Sequence, residues 1–548
     1  MTTHAAPPPP DTTSNATRLL CAGTYLDPHY RKAVIRELLT HRYRVVAPSY
    51  DYDAAPVLAH ALAAHNLRRN QLIALAAGAV VIALLMAAGV LGGWTAALFA
   101  FWLAWATMFL RRLAILQTLA EHLAPPADDR TGFDGSHPIT SRLTPELVGK
   151  INREQASDTV YYGGYKPFIG AGHSVKRWAN AELLLGAPKS RGGALGQNLL
   201  NGHVPAQHGP ADGPNGTGSA DATGSTDGTG STDGTGGGGR TERKPIIPFT
   251  VEDITTRVCE ELLAELRDKP APSHRVELLS VDRRRFTKAV RTAEGSDPVA
   301  VLLDTPDPGH PDHTAAHWRE DYDARREYLC VRIGAWQQEL VTSVFIGFDI
   351  KGSTLHTEFY TYVLGPLPES FHLADRLPAA IDGKLMCRIA WDVTRSAPGE
   401  LLRLITNPLR ERLPSRFSTD TVRKLVGQPA DTSEFRLGRY ALTAVDCGAL
   451  TSVRELAPDH DFHHFFQESD AIKYIQIIER HLLQIVGDFL RDHDVDTREH
   501  EANQTNILQQ NFGANSTNNF GGNQSVGNTN TTQTFGNNSG VTREARQA

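Results

Sequence analysis

The clearest pattern of apolar positions lies in residues 72–110, where no Asp, Glu, Lys or Arg occurs. Residues 72–91 form a stretch of about 20 residues, enough for an α-helix to cross the ~30 Å hydrocarbon core of a bilayer. Residues 94–110 lie at the lower limit of such a length. Gly92 and Gly93 separate the two stretches and permit a tight reversal. The pattern therefore predicts a transmembrane helical hairpin.

Arginines flank the outer ends of this hairpin, at Arg68 and Arg69 before it and Arg111 and Arg112 after it. By the positive-inside rule both flanks face the cytoplasm, which predicts a two-pass protein of the cell membrane with both termini cytoplasmic. Neither span holds an ionisable residue, so an anchor in the lipid bilayer is favoured over a transporter. A hairpin buried in a soluble protein is the alternative, but the uncharged stretch is longer than such a core needs.

Weaker periodicities surround the hairpin. Residues 30–39 and 54–67 have helical spacing and are separated by strand-like residues 43–47, which predicts a small N-terminal α/β unit. After the spans, an amphipathic helix is expected over residues 113–123, ending at Pro125 and Pro126.

The largest predicted unit covers residues 245–497 and opens with a helix capped by Thr250 and Asp253. Its inward face is Val251, Ile254, Val258, Leu262 and Leu266. Strand-like runs follow at 276–281, 299–303, 327–333, 340–349 and 355–364, and the last three are expected to form an antiparallel meander. Later elements are a helix near 400–413, a strand near 439–446 and a long helix at 470–490. The predicted fold class is α+β.

Composition marks the segments between these units. Residues 203–240 contain the duplicated STDGTG and too little apolar surface to fold, so a flexible linker is expected. The full predicted division is disordered 1–17, α/β unit 18–70, transmembrane hairpin and following helix 71–124, Gly- and aromatic-rich unit 131–190, linker 191–243, cytoplasmic α+β domain 244–500 and tail 501–548.

Charge and cysteine content narrow the function. The chain has 548 residues, 55 basic and 61 acidic side chains, and a formal net charge of −6. A mildly acidic balance argues against binding nucleic acid by bulk charge, and no nucleic-acid partner is expected. Five cysteines without a CxxC pair fit neither a zinc ribbon nor a disulfide framework, so a reducing compartment is favoured.

Three groups of residues invite a chemical interpretation. Gly170 and Gly172 could cradle a phosphate, but no GxGxxG or P-loop pattern completes there, so a turn with aromatic packing is favoured. Arg454 and Glu455 could be an active-site pair, although a structural ion pair that anchors the last helix is favoured. Two Asp- and His-rich groups lack metal-site spacing and are interpreted as solvated loops or helix caps. They are Asp304, Asp307, His310, Asp312, His313 and His317, and Asp459, His460, Asp461, His463 and His464. No catalytic, cofactor-binding or metal site is predicted.

The C-terminal tail is free of charge from residue 502 to 542 and rich in Asn, Gln, Thr, Ser and Gly. A solvated, disordered tail is the favoured interpretation. The alternative is self-assembly, because Asn and Gln ladders with spaced apolar side chains suit stacked β-arches. The candidate self-assembly residues are Phe512, Phe520, Val526 and Phe535.

The chain resembles a family of uncharacterised actinobacterial two-span membrane proteins, a likeness that implies no activity. The stretches that carry it are Arg18-Leu-Leu-Cys-Ala, the Gly- and aromatic-rich run from Tyr162 to Gly172, Arg326-Glu-Tyr-Leu-Cys, and Asp446-Cys-Gly-Ala-Leu-Thr-Ser-Val-Arg-Glu with Phe466, Gln467 and Asp470. The tail is similar in composition to amyloid-like motifs of bacterial signalling proteins.

These observations favour a membrane-anchored signalling or scaffold protein with an assembly-prone tail, which would bind itself or a protein partner. An enzyme of unknown class in residues 244–500 is the alternative. An oligomeric pore formed by the hairpin is disfavoured because the spans lack a polar face.

Overall fold

The structure is a computed structural model that describes residues 12–125, 132–189, 243–293, 325–378, 382–406, 443–457 and 462–512. Within these residues the chain combines helices with a six-stranded mixed sheet. Two of the helices are long and apolar enough to cross a membrane.

The N-terminal helices are α1 (Asn15–Leu26), α2 (Pro28–Ile35), α3 (Ala54–Ala87), α4 (Gly93–His122) and α5 (Pro145–Gln155). Side chains of Ser14, Asp27 and Asp53 accept backbone N–H groups at the starts of α1, α2 and α3, as helix N-caps do. Helix α1 begins within the segment that the sequence predicted to be disordered. Nearly all of its side chains are buried, including the polar side chains of Thr17, Arg18 and Thr24, so no solvent-facing polar stripe sets it apart in the sequence.

The predicted strand at residues 43–47 is wrong, because Tyr43 lies in a turn, Arg44 in a bend, and residues 45–47 belong to no sheet. The backbone of this segment makes single hydrogen bonds to separate partners instead of the hydrogen-bond ladder of a strand. Val45 donates its N–H to Cys447 O at 2.8 Å, and Val46 donates to Glu154 Oε2 at 2.7 Å. These bonds satisfy polar groups that a strand would otherwise pair with a neighbour.

Strands from two distant parts of the chain form the main sheet. Its members are β1 (Thr159–Tyr162), β2 (His173–Leu183), β3 (Leu279–Lys288), β5 (Arg326–Ala335), β6 (Leu340–Lys351) and β7 (Thr354–Leu364), in the order β1-β3-β5-β6-β7-β2. The meander β5-β6-β7 is confirmed. The sheet is mixed rather than antiparallel, because β1 pairs parallel with β3. A separate pair joins β4 (Val290–Ala293) to β8 (Thr443–Asp446).

The remaining helices are α6 (Val251–Leu263), α7 (Gly383–Thr406), α8 (Phe465–Asp492) and α9 (Arg498–Phe512). The capping box of Thr250 and Asp253 at the start of α6 is confirmed. Helix α7 begins well before the predicted residue 400 and contains Pro398 in its interior. Helix α9 reaches Phe512, so the first residues of the predicted tail are helical.

Each face of the sheet has its own core. Helices α6 and α8 cover one face, where Ile254 and Ile478 pack with Val331 and Phe359. The other face is covered by the loop regions that carry Tyr50, Phe168 and Ala171. Residues 131–190, which the sequence set apart from the C-terminal domain, therefore contribute two strands and part of the covering layer to the same sheet.

Candidate functional site

Helices α3 and α4 form a hairpin that changes character along its length. At the start of α3, Leu58 is fully buried in the N-terminal core. Farther along, apolar side chains face outward, and Leu84 and Trp102 are 64% and 62% exposed. Gly78 contacts Leu103 so closely that a Cβ would find no room, which lets the two helices pack tightly. The hairpin thus joins a buried base to an exposed apolar end.

A polar contact marks the boundary between these two parts. Gln71 is buried, and its Oε1 accepts hydrogen bonds from Arg68 Nη1 and Arg111 Nη1, each at 3.3 Å. Two of the flanking arginines are thus held at the α3–α4 interface. The boundary lies where the sequence places the arginines that flank the uncharged stretch.

Helix α7 packs against α4 beside this boundary. Val393 and Ala397 of α7 are buried in a cluster with Met108 of α4. Trp105 Nε1 donates a hydrogen bond to Thr394 Oγ1 at 2.9 Å. Trp105 precedes Arg111 by six residues, so this contact lies about 9 Å farther along α4, inside the uncharged stretch.

The 446–455 segment, singled out from the sequence, binds two glycine-containing turns. Asp446 Oδ2 accepts the N–H of Gly164 at 2.7 Å. Glu455 Oε1 accepts the N–H groups of Gly170 at 3.0 Å and Gly172 at 3.1 Å. Both glycines have positive φ, 85° and 90°, a region that favours glycine. The amides that could have cradled a phosphate therefore bind a carboxylate of the protein itself.

Arg454 lies under the same segment and points the other way. Its guanidinium is buried and donates to the carbonyls of Gln338 at 2.9 Å, Gly365 at 3.3 Å and Glu339. Burial lowers its pKa to about 10, so the side chain is still a cation at neutral pH. The predicted ion pair between Arg454 and Glu455 is wrong, because each side chain is engaged with backbone groups in a different turn.

Backbone hydrogen bonds connect the segment to the rest of the protein. Cys447 accepts from Val45 and donates to Ala289, both at 2.8 Å. Ala449 donates to Tyr161 at 2.9 Å. The segment is therefore a junction between the N-terminal unit, β1 and the residues that follow β3.

A buried cluster of arginines, which sequence reasoning missed, lies on the nearby sheet face. The Tyr50 ring is fully buried, with the guanidinium carbons of Arg284 at 5.2 Å and Arg332 at 5.6 Å from its centroid. Arg332 Nη2 also binds Asp282 Oδ2 at 2.6 Å. These distances suit cation–π attraction. Burial raises the pKa of the adjacent Cys330 thiol to about 11, although both guanidinium groups oppose the shift.

The other residues considered from sequence divide between described and undescribed parts of the chain. His463 Nε2 lies 2.8 Å from Leu367 O, and the His464 ring stacks on Trp336 at 5.8 Å. Phe512 is the last residue of α9. Outside the described residues lie the group from Asp304 to His317, Asp459, His460, Asp461, Phe520, Val526 and Phe535.

A sequence model of the AbeC-like domain matches residues 223–529, which is more than half of the chain. The chain belongs to the AbeC-like family. The AbeC-like match contains β3 to β8 and α6 to α9, whereas the hairpin, β1 and β2 precede residue 223. No curated protein and no solved structure matches the chain. The actinobacterial origin, the two-span topology and the amyloid-like tail stay predictions.

Proposed function

We propose that this AbeC-like protein is a membrane-anchored signalling or scaffold protein. The α3–α4 hairpin holds the folded body at the cytoplasmic face of the cell membrane. The tail beyond α9 binds a partner or a second copy of the chain.

The observation that carries the proposal is the continuity of α3. One helix of 34 residues has its first turns buried in the core and its last turns apolar and outward-facing. Contiguous apolar surface of this kind costs about 25 cal/mol per Å² when it meets water, and a bilayer removes that cost. Because no flexible joint interrupts α3, the bilayer orients the body as well as tethering it.

Helix α9, which precedes the tail, is held by the body. His500 Nδ1 of α9 lies 3.0 Å from Glu182 Oε1 of β2, and His500 Nε2 lies 2.8 Å from Leu483 O of α8. The side chains of His500 and Glu182 and the carbonyl of Leu483 all belong to packed helices or strands. Whatever the tail binds is therefore connected to the sheet through α9.

The test uses tagged full-length protein in its host cell. Fractionation with carbonate extraction reports membrane insertion, and protease treatment of spheroplasts reports the side on which the body lies. Semi-denaturing gels then compare the full chain with a truncation after Phe512, which keeps the whole of α9.

A length-matched control separates assembly from mere removal of chain. The variant Phe520→Ser, Val526→Ser, Phe535→Ser keeps the length of the tail but replaces three of its apolar side chains. Membrane-inserted, protease-protected protein whose assemblies disappear in both variants supports the proposal. Extraction by carbonate contradicts the anchor, and a monomer with or without the tail contradicts the assembly role.

A further inference from the structure

Helix α7 has two different faces. Ile389, Val393 and Ala397 are buried against α4. The opposite face carries Lys384, Arg388, Trp391 and Arg395, spaced by four, three and four residues, all of them exposed. Trp391 is 70% exposed, which is unusual for a large aromatic side chain on a helix that is packed on its other side.

This stripe combines the two residue types that occupy membrane interfaces. Tryptophan partitions to the headgroup level of a bilayer, and basic side chains bind anionic head groups while their aliphatic stems contact apolar surface. Asp392 is the acidic residue beside the stripe, so the face has a net positive charge. Amphipathic helices with this arrangement lie at the bilayer surface.

The contacts between α7 and α4 place the stripe near the end of the uncharged stretch, at the depth of the bilayer interface. The Trp105–Thr394 hydrogen bond lies about 9 Å from Arg111 along α4. The interfacial layer on each side of a bilayer is about 5–8 Å thick. The same cluster of α4 and α7 side chains includes Leu116, five residues beyond Arg111, so α7 spans the level at which the uncharged stretch of α4 ends.

We infer that α7 is an interfacial helix whose Lys384–Arg388–Trp391–Arg395 stripe binds the head groups of anionic phospholipids beside the hairpin. The inference rests on the proposed membrane anchor and deepens it. The hairpin supplies insertion, and the stripe supplies a preference for anionic lipid.

The protein contains a natural probe for this contact. Cys387 is exposed on α7, whereas Cys21, Cys330 and Cys447 are buried and Cys259 is half-buried. A maleimide fluorophore added to the folded full-length protein is expected to label Cys387, and Cys387→Ser reports any labelling of Cys259. The labelled protein is reconstituted into vesicles of phosphatidylcholine, or of phosphatidylcholine mixed with an equal amount of phosphatidylglycerol. A phospholipid with a nitroxide at a shallow acyl position is the quencher.

The expected result is stronger quenching in the vesicles that contain phosphatidylglycerol. A basic residue near an anionic surface favours binding about fivefold. The double variant Arg388→Glu, Arg395→Glu is therefore expected to abolish the dependence on phosphatidylglycerol. The matched control reverses the charges of Arg491 and Arg498, which are exposed on α8 and α9. It is expected to keep the dependence on phosphatidylglycerol.

A label inside the hairpin distinguishes the two ideas. In a Cys387→Ser background, Val80→Cys places the fluorophore on an exposed apolar position of α3. Because Val80 lies near the middle of the predicted span, the quencher for this label is a phospholipid with a nitroxide near the end of its acyl chain. If this label is not quenched, the hairpin is not in the bilayer and the proposed anchor is wrong. If it is quenched while the Cys387 label is not, or if quenching at Cys387 ignores lipid charge, the inference about α7 is overturned and the anchor stands.

Discussion

The Glu455 carboxylate accepts the backbone N–H of Gly172 at 3.1 Å, across 283 positions of the chain. It also accepts the N–H groups of Gly170 and Ser452. One side chain thereby closes a turn of the N-terminal part on a segment near the C-terminus. The consequences of this contact for stability are measurable.

Replacing Glu455 with Gln is expected to destabilise the protein. The amide loses the negative charge that strengthens three N–H hydrogen bonds, at a cost of about 1–3 kcal/mol in the free energy of unfolding. Chemical denaturation of the detergent-solubilised protein measures it. The matched control Glu277→Gln changes an exposed carboxylate and is expected to have no effect. Equal stability of the two variants would contradict the role given to Glu455.

Arg454 supports a sharper prediction, because a leucine replacement removes both the charge and the hydrogen bonds to the carbonyls, whereas a lysine replacement keeps the charge. Arg454→Leu keeps buried volume but strands the carbonyls of Gln338, Glu339 and Gly365, for an expected loss of about 3 kcal/mol or more. Arg454→Lys keeps a cation that can donate to some of these carbonyls but loses the planar fork of donors, so a smaller loss in the free energy of unfolding is expected. Thermal unfolding ranks the variants. If the leucine variant is the more stable of the two, the carbonyl contacts contribute little.

Gly172 tests the backbone of the same turn. Its φ is 90°, and an added Cβ would contact the backbone of Val363. Gly172→Ala is expected to cost more than the roughly 1–2 kcal/mol of a left-handed residue alone. Gly383→Ala, at a position with open space and ordinary φ, is the matched control. Comparable unfolding midpoints for both alanine variants would show that the turn tolerates a side chain.

His372 predicts a specific pH dependence. Its Nδ1 lies 3.1 Å from Asp375 Oδ2 and its Nε2 lies 3.0 Å from Glu339 Oε2, and these hydrogen bonds raise its pKa from 6.5 to about 9. Since the folded pKa exceeds the unfolded one, the stabilisation is complete below pH 6.5 and is lost as the pH rises through about 9. Arg18 Nη1 forms an ion pair with the same Asp375 carboxylate.

The measurement is the free energy of unfolding as a function of pH. The wild-type protein is expected to lose stability across that window, and His372→Gln to show a flatter profile there. His29→Gln, at an exposed position, serves as the control and is expected to follow the wild type. Parallel profiles for wild type and His372→Gln would contradict the assignment.

Local patterns were sufficient for several elements. The meander β5-β6-β7, the capping box of α6 and the long helix α8 follow from spacing and turn residues within a few positions of each other. The two apolar helices follow in the same way, because a run without charge needs no tertiary contact to be recognised, although α3 ends at Ala87 and not at the predicted Leu91.

Other elements had no local signal. Strand β3 continues past residue 281 through Arg283, Arg284 and Arg285, since Arg284 is buried under Tyr50 while Arg283 binds Glu252 and Thr256 of α6. Strand β2 has few buried side chains, and its place is set by pairing with β7. A run of charges becomes a strand here because each face of the sheet supplies a partner.

The sequence by itself determined which segments are apolar or rich in glycine and which carry a strong helical or strand pattern, because those properties depend on neighbours in the chain. The tertiary structure alone decided what Arg454, Glu455 and the two glycines do. An arginine, a glutamate and a Gly-x-Gly turn have several possible partners at the sequence level. Folding selects among them by burial, since a buried charge or amide must bind whatever complementary group the packing brings within reach.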